Sequence, residues 1–350
     1  PERSKGRRNV VFSQMEKYGF ISTESTDSLQ KLPLEIDFTL TNHNAGVATY
    51  FREYLRTEIQ QWIQSYQEET GQAYNLYTDG LKIHTTIHSK IQQYAENAVT
   101  GHMSELQETF NEHWGQTRPW HQNRNSLISA IHKSERYKQL KSQGFTEKEI
   151  QEKFKEPQPM TIFTWQGEQE VSMSPLDSVK HYLYYLNAGF LAMDPDDGAI
   201  LAWVGGINHK YFKYDHVNIR TKRQVGSVFK PIVYAAGLEN GIKPCDFVSS
   251  RRVTYTNFDD WTPGNADEEY DGFYSVQGAL THSVNTVSVK VLKKTTIKST
   301  VAMAKEMGIE TDIPEVPSIA LGTPNVSLYE MVGAYTAFAN KGQVVKPRFL

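Results

Sequence analysis

The chain has 350 residues, 39% apolar and 12% aromatic, with 22% charged residues and a net charge of −3, which excludes a disordered polyelectrolyte and leaves room for two or three domains. Residues 176–350 hold 18 Lys+Arg and 18 Asp+Glu against 19 and 22 in residues 1–175, so neither half has the basic excess of a nucleic-acid binder. One cysteine, Cys245, excludes an internal disulfide and a cysteine zinc site; no run of about 18 apolar residues occurs, so no segment is expected to span a membrane.

Residues 7–20 have helical spacing, with Val10, Val11, Met15 and Tyr18 on one face and Gly19 as the stop. A second short helix is predicted from Thr23 to about Leu32. Residues 47–68 form the strongest helix, since Phe51, Tyr54, Leu55, Ile59, Trp62, Ile63 and Tyr66 fall at steps of three and four before Thr70-Gly71. Residues 81–87 alternate like a strand, and a helix from about Ser89 follows. Helices are expected at 125–142 and 146–155, the second opened by the capping-box pair Thr146 and Glu149. Residues 188–194 and 199–205 are apolar strands around the turn Pro195-Asp196-Asp197-Gly198, a hairpin signal. Alanine-rich helices and short loops follow. The composition shift near residue 175 divides the chain into a tail at 1–35, a mainly helical linker at 36–175 and an α/β domain at 176–350. The start at Pro1, the lack of a signal-peptide pattern and a last stretch (346–350) that reads as a strand beginning after a turn lead us to expect an excerpt at both ends.

Two motifs carry chemistry. In TKRQVGSVFKPIVYAAGLENG (221–241) a helix is expected over Val228–Leu238, with Ile232, Val233, Ala235 and Ala236 buried. Pro231 is tolerable only in a first turn, so the helix must start near Ser227, and Gly241 lies past its end. Ser227 then sits at the N-terminus with Lys230 one turn later on the same face. A serine hydroxyl needs a base before it attacks, and a lysine serves if burial lowers its pKa. The helix N-terminus adds a positive field for an oxyanion, and Gly226 leaves the approach unobstructed. The plain alternative is an N-cap serine and a solvated lysine; Ser28 and Lys31 match the same Ser-x-x-Lys spacing without a role. In SVQGALTHSVNTVSVKVLKK (275–294) Ser283 and Asn285 fall between two helical stretches. They offer a hydroxyl and an amide to a catalytic lysine and a substrate amide, or simply cap the next helix.

Ser-x-x-Lys and Ser-x-Asn in this order belong to the motif set of penicillin-binding proteins and class A β-lactamases. The flanking stretches MDPDDGAILAWVGG (193–206), RQVGSVFKPIVYAAGLENG (223–241), WTPGNADEEYDG (261–272), GALTHSVN (278–285) and SIALGTPNVSLYEMVGAYTAFANKGQ (318–343) resemble class A, bifunctional penicillin-binding proteins, all in the family's order. RRNVVFSQMEKYGFIS (7–22) resembles the end of that family's glycosyltransferase domain, and LYTDGLKIHTTIHSKIQQYAENAV (76–99) its linker. Residues 100–160 carry little of the resemblance.

The resemblance implies an α+β, multidomain chain. Its serine-transpeptidase (β-lactamase-like) domain would hold an antiparallel sheet between helices, behind a mainly helical linker. Ser227 would attack the penultimate D-alanine carbonyl of a peptidoglycan stem peptide ending in D-Ala-D-Ala, or a β-lactam. Lys230 would be the base, Ser283 a proton relay, and Asn285 a partner of the substrate amide. Gly226 and Trp261 would line the substrate. No cofactor is implied for this reaction; a divalent metal would belong to the parent's glycosyltransferase and not to this chain. The parent would be anchored in the cytoplasmic membrane with this part outside it, and the linker would meet cell-wall synthesis partners. The family's third motif, Lys-Thr-Gly or Lys-Ser-Gly, does not occur after Asn285, and the glycosyltransferase stretch Glu-Asp-x-x-Phe does not occur at all.

Other residues weigh less. Asp267, Glu268, Glu269 and Asp271 near Trp261 are either a cleft wall that greets an incoming amine or a solvated loop. His84 and His88 have i, i+4 spacing but lie on a predicted strand and turn, where they would not share a face as metal ligands. Arg3, Lys5, Arg7 and Arg8 suit anionic lipid or plain solvated surface. Competing functions are a β-lactam sensor or β-lactamase, for which no deacylating-water motif is visible, and an inert or partner-binding module of the same synthase.

Overall fold

The computed structural model describes residues 2–34, 46–115 and 117–350. The chain divides into two compact units, Pro1–Ala45 and Gly46–Leu350. The expected boundary at 35/36 lies outside the described residues.

The first unit is a helix pair, α1 (Glu2–Lys17) and α2 (Thr23–Lys31). Gly19, at φ 76°, ends α1, and the Phe20 amide reaches back to the Met15 carbonyl at 2.8 Å, the αL-type stop that glycine permits. The Arg8 guanidinium ties the pair together by donating to the carbonyls of Gln30, Leu32 and Pro33. The helix begins five residues earlier than its apolar spacing suggested. Val10, Val11 and Tyr18 are exposed, and Met15 is half-buried.

The second unit opens with α3 (Thr49–Thr70) and α4 (Ser89–Trp114). Between them, 81–87 runs extended but joins no sheet. Its bonds are single ones: the Thr86 amide to the Phe349 carbonyl, then the His88 amide to the Leu201 carbonyl. Alternation alone does not supply a neighbouring edge, so the predicted strand is absent. His88 instead caps α4 by accepting from the Ile91 amide. Four short helices follow, α5 (Pro119–Gln122), α6 (Arg124–Lys133), α7 (Glu135–Ser142) and α8 (Glu147–Lys153). The single helix expected over 125–142 is two, because Ser134 takes extended backbone (ψ 142°) and caps α7 with its side chain. The Thr146/Glu149 capping box opens α8 as the sequence indicates. A hairpin of β1 (Gln158–Thr164) and β2 (Gly167–Met173) pairs Thr164 with Gly167 across the two-residue turn Trp165-Gln166, and α9 (Pro175–Leu183) follows.

The hairpin expected over 188–206 forms as β3 (Phe190–Met193) and β4 (Ile200–Val204), antiparallel. Helices cover both faces. Leu191, Ile200 and Trp203 face α3 and pack on Phe51, Tyr54, Leu55 and Ile59, with the Tyr54 ring stacked 4.7 Å from Trp203. Ala192, Ala202 and Val204 face Ile91, Ala95 and Val99 of α4. Period-2 side chains therefore meet two period-3.6 helix stripes, and the expected antiparallel sheet between helices is present. Beyond His88 the outer edge of β4 is held by one side chain: the carboxamide of fully buried Gln92 accepts from the Trp203 amide (2.7 Å) and donates to the Trp203 carbonyl (2.9 Å). Trp62 departs from the predicted buried stripe of α3; it is exposed and stacks on Tyr66 at 5.3 Å.

The remaining elements are β5 (Lys222–Gln224), a 3-10 turn (Gly226–Phe229), α10 (Lys230–Glu239), β6 (Phe247–Ser249), β7 (Phe273–Ser275), α11 (Val276–Thr281), α12 (Asn285–Thr295), α13 (Ile297–Glu306), β8 (Asn325–Ser327) and α14 (Leu328–Ala339). β5 pairs with β8 and β6 with β7, both antiparallel. α10 and α12 pack closely. Gly237 lies at the contact, where a Cβ would come within 3.1 Å of Val291 and 3.3 Å of Thr295. Phe229, Ile232, Val233, Val287, Leu292 and Ile319 are fully buried there, each stabilising the fold by about 1.5–3 kcal/mol. The final stretch, expected as a strand, makes one isolated parallel bridge, Ala199 to Arg348. Among the described residues no helix is long and apolar enough to cross a membrane.

Candidate active site

Ser227 does not open an α-helix, as the spacing suggested, but sits in the 3-10 turn ahead of α10. The turn is tighter than predicted, yet it keeps Ser227 and Lys230 one turn apart: the Lys230 amide donates to the Ser227 carbonyl. Pro231 occupies the first turn of α10, where its missing N–H costs nothing. Phe229 anchors the turn in the core while Ser227 is exposed.

A second strand of chain holds this turn from behind. The Gly226 amide donates to the Gly322 carbonyl (2.8 Å), and the Val225 amide to the Pro324 carbonyl (3.1 Å). The approach requires glycine on both sides. Gly226 has φ 62°, and a Cβ on Gly322 (φ 75°) would lie 1.7 Å from the Gly226 oxygen. The Tyr335 hydroxyl of α14 donates to the Val228 carbonyl at 2.5 Å.

Lys230 is 1% exposed. Its Nζ donates to the Ser283 carbonyl (2.6 Å), the Ser283 hydroxyl (2.9 Å) and Asn285 Oδ1 (2.6 Å). Burial pushes its pKa down from 10.5 to about 8, because the charged form loses its water. The three residues thus meet at one point, joining sequence positions 53 and 55 residues apart. Ser283 reaches Lys230 from a strained position: it bridges α11 and α12 with φ 54°, where a serine is uncommon. Asn285 is oriented in turn by its amide, which donates to the Gly264 carbonyl (2.8 Å), while the Thr286 amide donates to Asn265 Oδ1 (3.0 Å).

The arrangement has a specific proton logic. A lysine ammonium has three donors, and three acceptors surround this one. A neutral amine has two donors and one lone pair. The Ser283 carbonyl and Asn285 Oδ1 only accept, so in the neutral amine they hold the two N–H groups and the lone pair is left to take a proton from a hydroxyl. With a pKa of about 8, the amine exchanges its proton near neutral pH.

Trp261, predicted to line the substrate, packs half-buried on the core and stacks on Tyr255 at 5.9 Å. Asp267, Glu268, Glu269 and Asp271 are all exposed. Sequence reasoning gave no role to Gly264, Asn265 or Gly322. Their signal lay in WTPGN and LGTPN, glycine-containing turns whose partners are far away in the chain.

Residues 111–186 match the penicillin-binding protein middle domain, and residues 188–350 match the penicillin binding protein transpeptidase domain. Penicillin-binding protein 1A of Pseudomonas aeruginosa is 26% identical over 389 aligned positions, covering 99% of this chain and 45% of that protein. Penicillin-binding protein 1A of Rickettsia felis is 27% identical over 385 positions, covering 100% and 47%. The chain therefore spans slightly under half the length of these relatives. The crystal structure of penicillin-binding protein 1A from Haemophilus influenzae aligns over 100% of this chain and 54% of that one, with a TM-score of 0.63 at 22% identity, a likeness of fold. The chain belongs to the penicillin-binding proteins and carries their middle and transpeptidase domains.

Proposed function

We infer that the chain supplies the acylating residues of a peptidoglycan D,D-transpeptidase within a longer, bifunctional cell-wall synthase. The observation that carries this reading is the buried Lys230 amine held by Ser283 and Asn285, one turn of chain after exposed Ser227. Neutral Lys230 takes the Ser227 proton as Oγ bonds to the penultimate D-alanine carbonyl carbon of a stem peptide. The tetrahedral intermediate collapses and the C–N bond to the terminal D-alanine breaks. The proton passes from Lys230 through the Ser283 hydroxyl to that leaving amine. The ester is then attacked by an amine of a neighbouring stem, whose proton returns to Ser227 Oγ as the cross-link forms; water in its place gives carboxypeptidase action. A β-lactam enters the same first step, but its leaving nitrogen stays tethered after ring opening, so the ester persists. Lys230 and Ser283 carry every proton, and the scheme calls on no cofactor.

In this reading residues 176–350 form the transpeptidase region, 36–175 the linker that meets other parts of the wall-building machinery, and 1–35 the end of a glycosyltransferase domain. The parent is membrane-anchored, with this part on the outer side of the cytoplasmic membrane. The test is intact-mass measurement after incubation with benzylpenicillin. A gain of one penicillin on the native chain, absent from Ser227→Ala, is expected. If neither this chain nor a longer one carrying a Lys-Thr-Gly strand is acylated at Ser227, the reading is wrong.

A further inference from the structure

A second recess lies in the middle region, between α4, α9 and the tip of the β1–β2 hairpin, with a volume of about 630 Å3. That is within the range of small-molecule sites. Its walls are aromatic and amide rather than aliphatic: Trp120, Trp165 and Tyr184 supply rings, and Asn111, Gln166 and Gln169 supply carboxamides. The rings are held in place. Trp120 meets Tyr184 edge-on at 6.0 Å, and the Arg118 guanidinium lies 4.6 Å from the Tyr184 ring centre. Gln107 fixes Asn111 by donating to its Oδ1 at 3.0 Å.

Two polar atoms of this lining are unmatched. Trp165 Nε1 and the Tyr184 hydroxyl are buried and meet no hydrogen-bond partner among the described residues. Both atoms are buried behind the lining, so what the recess presents to a ligand is the ring faces and the carboxamides. The charges nearly cancel. Lys180 is held by Asp177 at 2.9 Å, which leaves one Arg, Arg118, and one Glu, Glu108, in the lining. A phosphate or an anionic headgroup would want a net cation.

A neutral ligand with flat C–H faces, hydroxyls and amide carbonyls fits this chemistry, since pyranose faces stack on aromatic rings and carboxamides bond sugar hydroxyls in pairs. We propose that the recess binds a β-1,4-linked amino-sugar chain, the glycan strand bearing the stem peptides that Ser227 handles. The choice of that glycan rests on the transpeptidase reading; the site itself rests on the recess. It holds the glycan on the middle domain while a stem reaches the nucleophile.

The probe is chitotetraose, titrated calorimetrically into the native chain, with cellotetraose as the same backbone lacking N-acetyl groups. Trp120→Ala is expected to weaken chitotetraose binding about tenfold. Trp165→Ala removes a second ring of the lining and is expected to weaken it roughly fivefold. Thermal unfolding confirms that both variants fold, and both are acylated by benzylpenicillin at the native rate. No heat with chitotetraose from a chain that is acylated, or equal affinity in both variants, overturns the site and leaves the transpeptidase reading standing. Binding lost in the variants, with acylation of neither this chain nor a longer one carrying a Lys-Thr-Gly strand, supports the site and sinks the transpeptidase reading. Equal affinity for cellotetraose overturns the amino-sugar assignment.

Discussion

The helical core beneath Lys230 and the middle region are packed by different rules. Beneath Lys230 the fully buried apolar groups, Phe229 apart, are aliphatic or small, among them Ile232, Val233, Val287, Leu292 and Ala320. Most polar groups set into that core are satisfied: Lys230 by Ser283 and Asn285, Thr286 by Asn265 and Ser250, Glu330 by Thr311 and Ser327. The middle region packs aromatic on aromatic, with Phe163 within 6 Å of the rings of Trp165, Tyr185, Tyr211 and Phe212. Its polar groups are less complete. Among the described residues six buried side-chain polar atoms lack a partner; Thr295 Oγ1 is in the helical core, and the other five lie between Gln158 and Tyr211. Dense aliphatic packing with closed hydrogen-bond networks fixes one geometry to a few tenths of an ångström, as a proton relay requires. Broad rings with spare donors leave a surface able to accept something else.

The sharpest way to break the contrast is Lys230→Met, which keeps the buried volume and removes the amine. Acylation by benzylpenicillin should slow by about 10²–10⁴-fold with the fold retained, as read by stopped-flow acylation and thermal unfolding. In the native chain the same rate should climb as pH rises through about 8, because the neutral amine is the active form, and level off above it. A rate flat across that range removes Lys230 as the base.

Gly322→Ala attacks the backing of the nucleophile turn instead. Its Cβ would collide with the Gly226 oxygen at a φ that disfavours alanine, so a loss of about 2–4 kcal/mol is expected in chemical unfolding, along with slower acylation. A smaller effect is expected from Glu330→Gln. Burial pushes the Glu330 carboxyl up, but hydrogen bonds from Ser327 and Thr311 outweigh it and hold the pKa below the usual value. That stability is present above the ordinary carboxylate pKa and is lost as pH falls through the lowered one. The variant should cost about 1–3 kcal/mol near pH 7, and the gap should close in acid. Tyr184→Phe is the control from the other region. Its buried hydroxyl has no partner among the described residues, so its removal should leave stability unchanged or raise it by about 1 kcal/mol; a clear loss would mean the middle region is as closed as the core.

What the sequence revealed follows the range of the forces involved. The stripe Phe51, Tyr54, Leu55, Ile59 predicts α3, Thr146 with Glu149 predicts the cap of α8, and Pro-Asp-Asp-Gly predicts the β3–β4 turn. All three are local. Ser227, Lys230, Ser283 and Asn285 were readable as a set only through the family's motif order, since no spacing rule joins positions more than 50 apart. The strand pattern at 81–87 failed because pairing depends on a free edge, and Gln92 occupies the edge of β4 beyond His88. Gly322 was invisible because its constraint is the Gly226 oxygen, nearly 100 residues away.

The Gln92 carboxamide has one more effect. By offering an acceptor and a donor to the same residue, Trp203, it imitates one rung of a β-ladder from a helix. A foreign strand sliding along the hairpin finds that rung already taken on β4, whereas β3 pairs with no other strand among the described residues. The sheet is therefore polar in its capacity to grow: on β4 the Leu201 carbonyl is taken by His88 and the Trp203 rung by Gln92, so edge-to-edge pairing of two such hairpins through β4 is blocked from the helix α4 side.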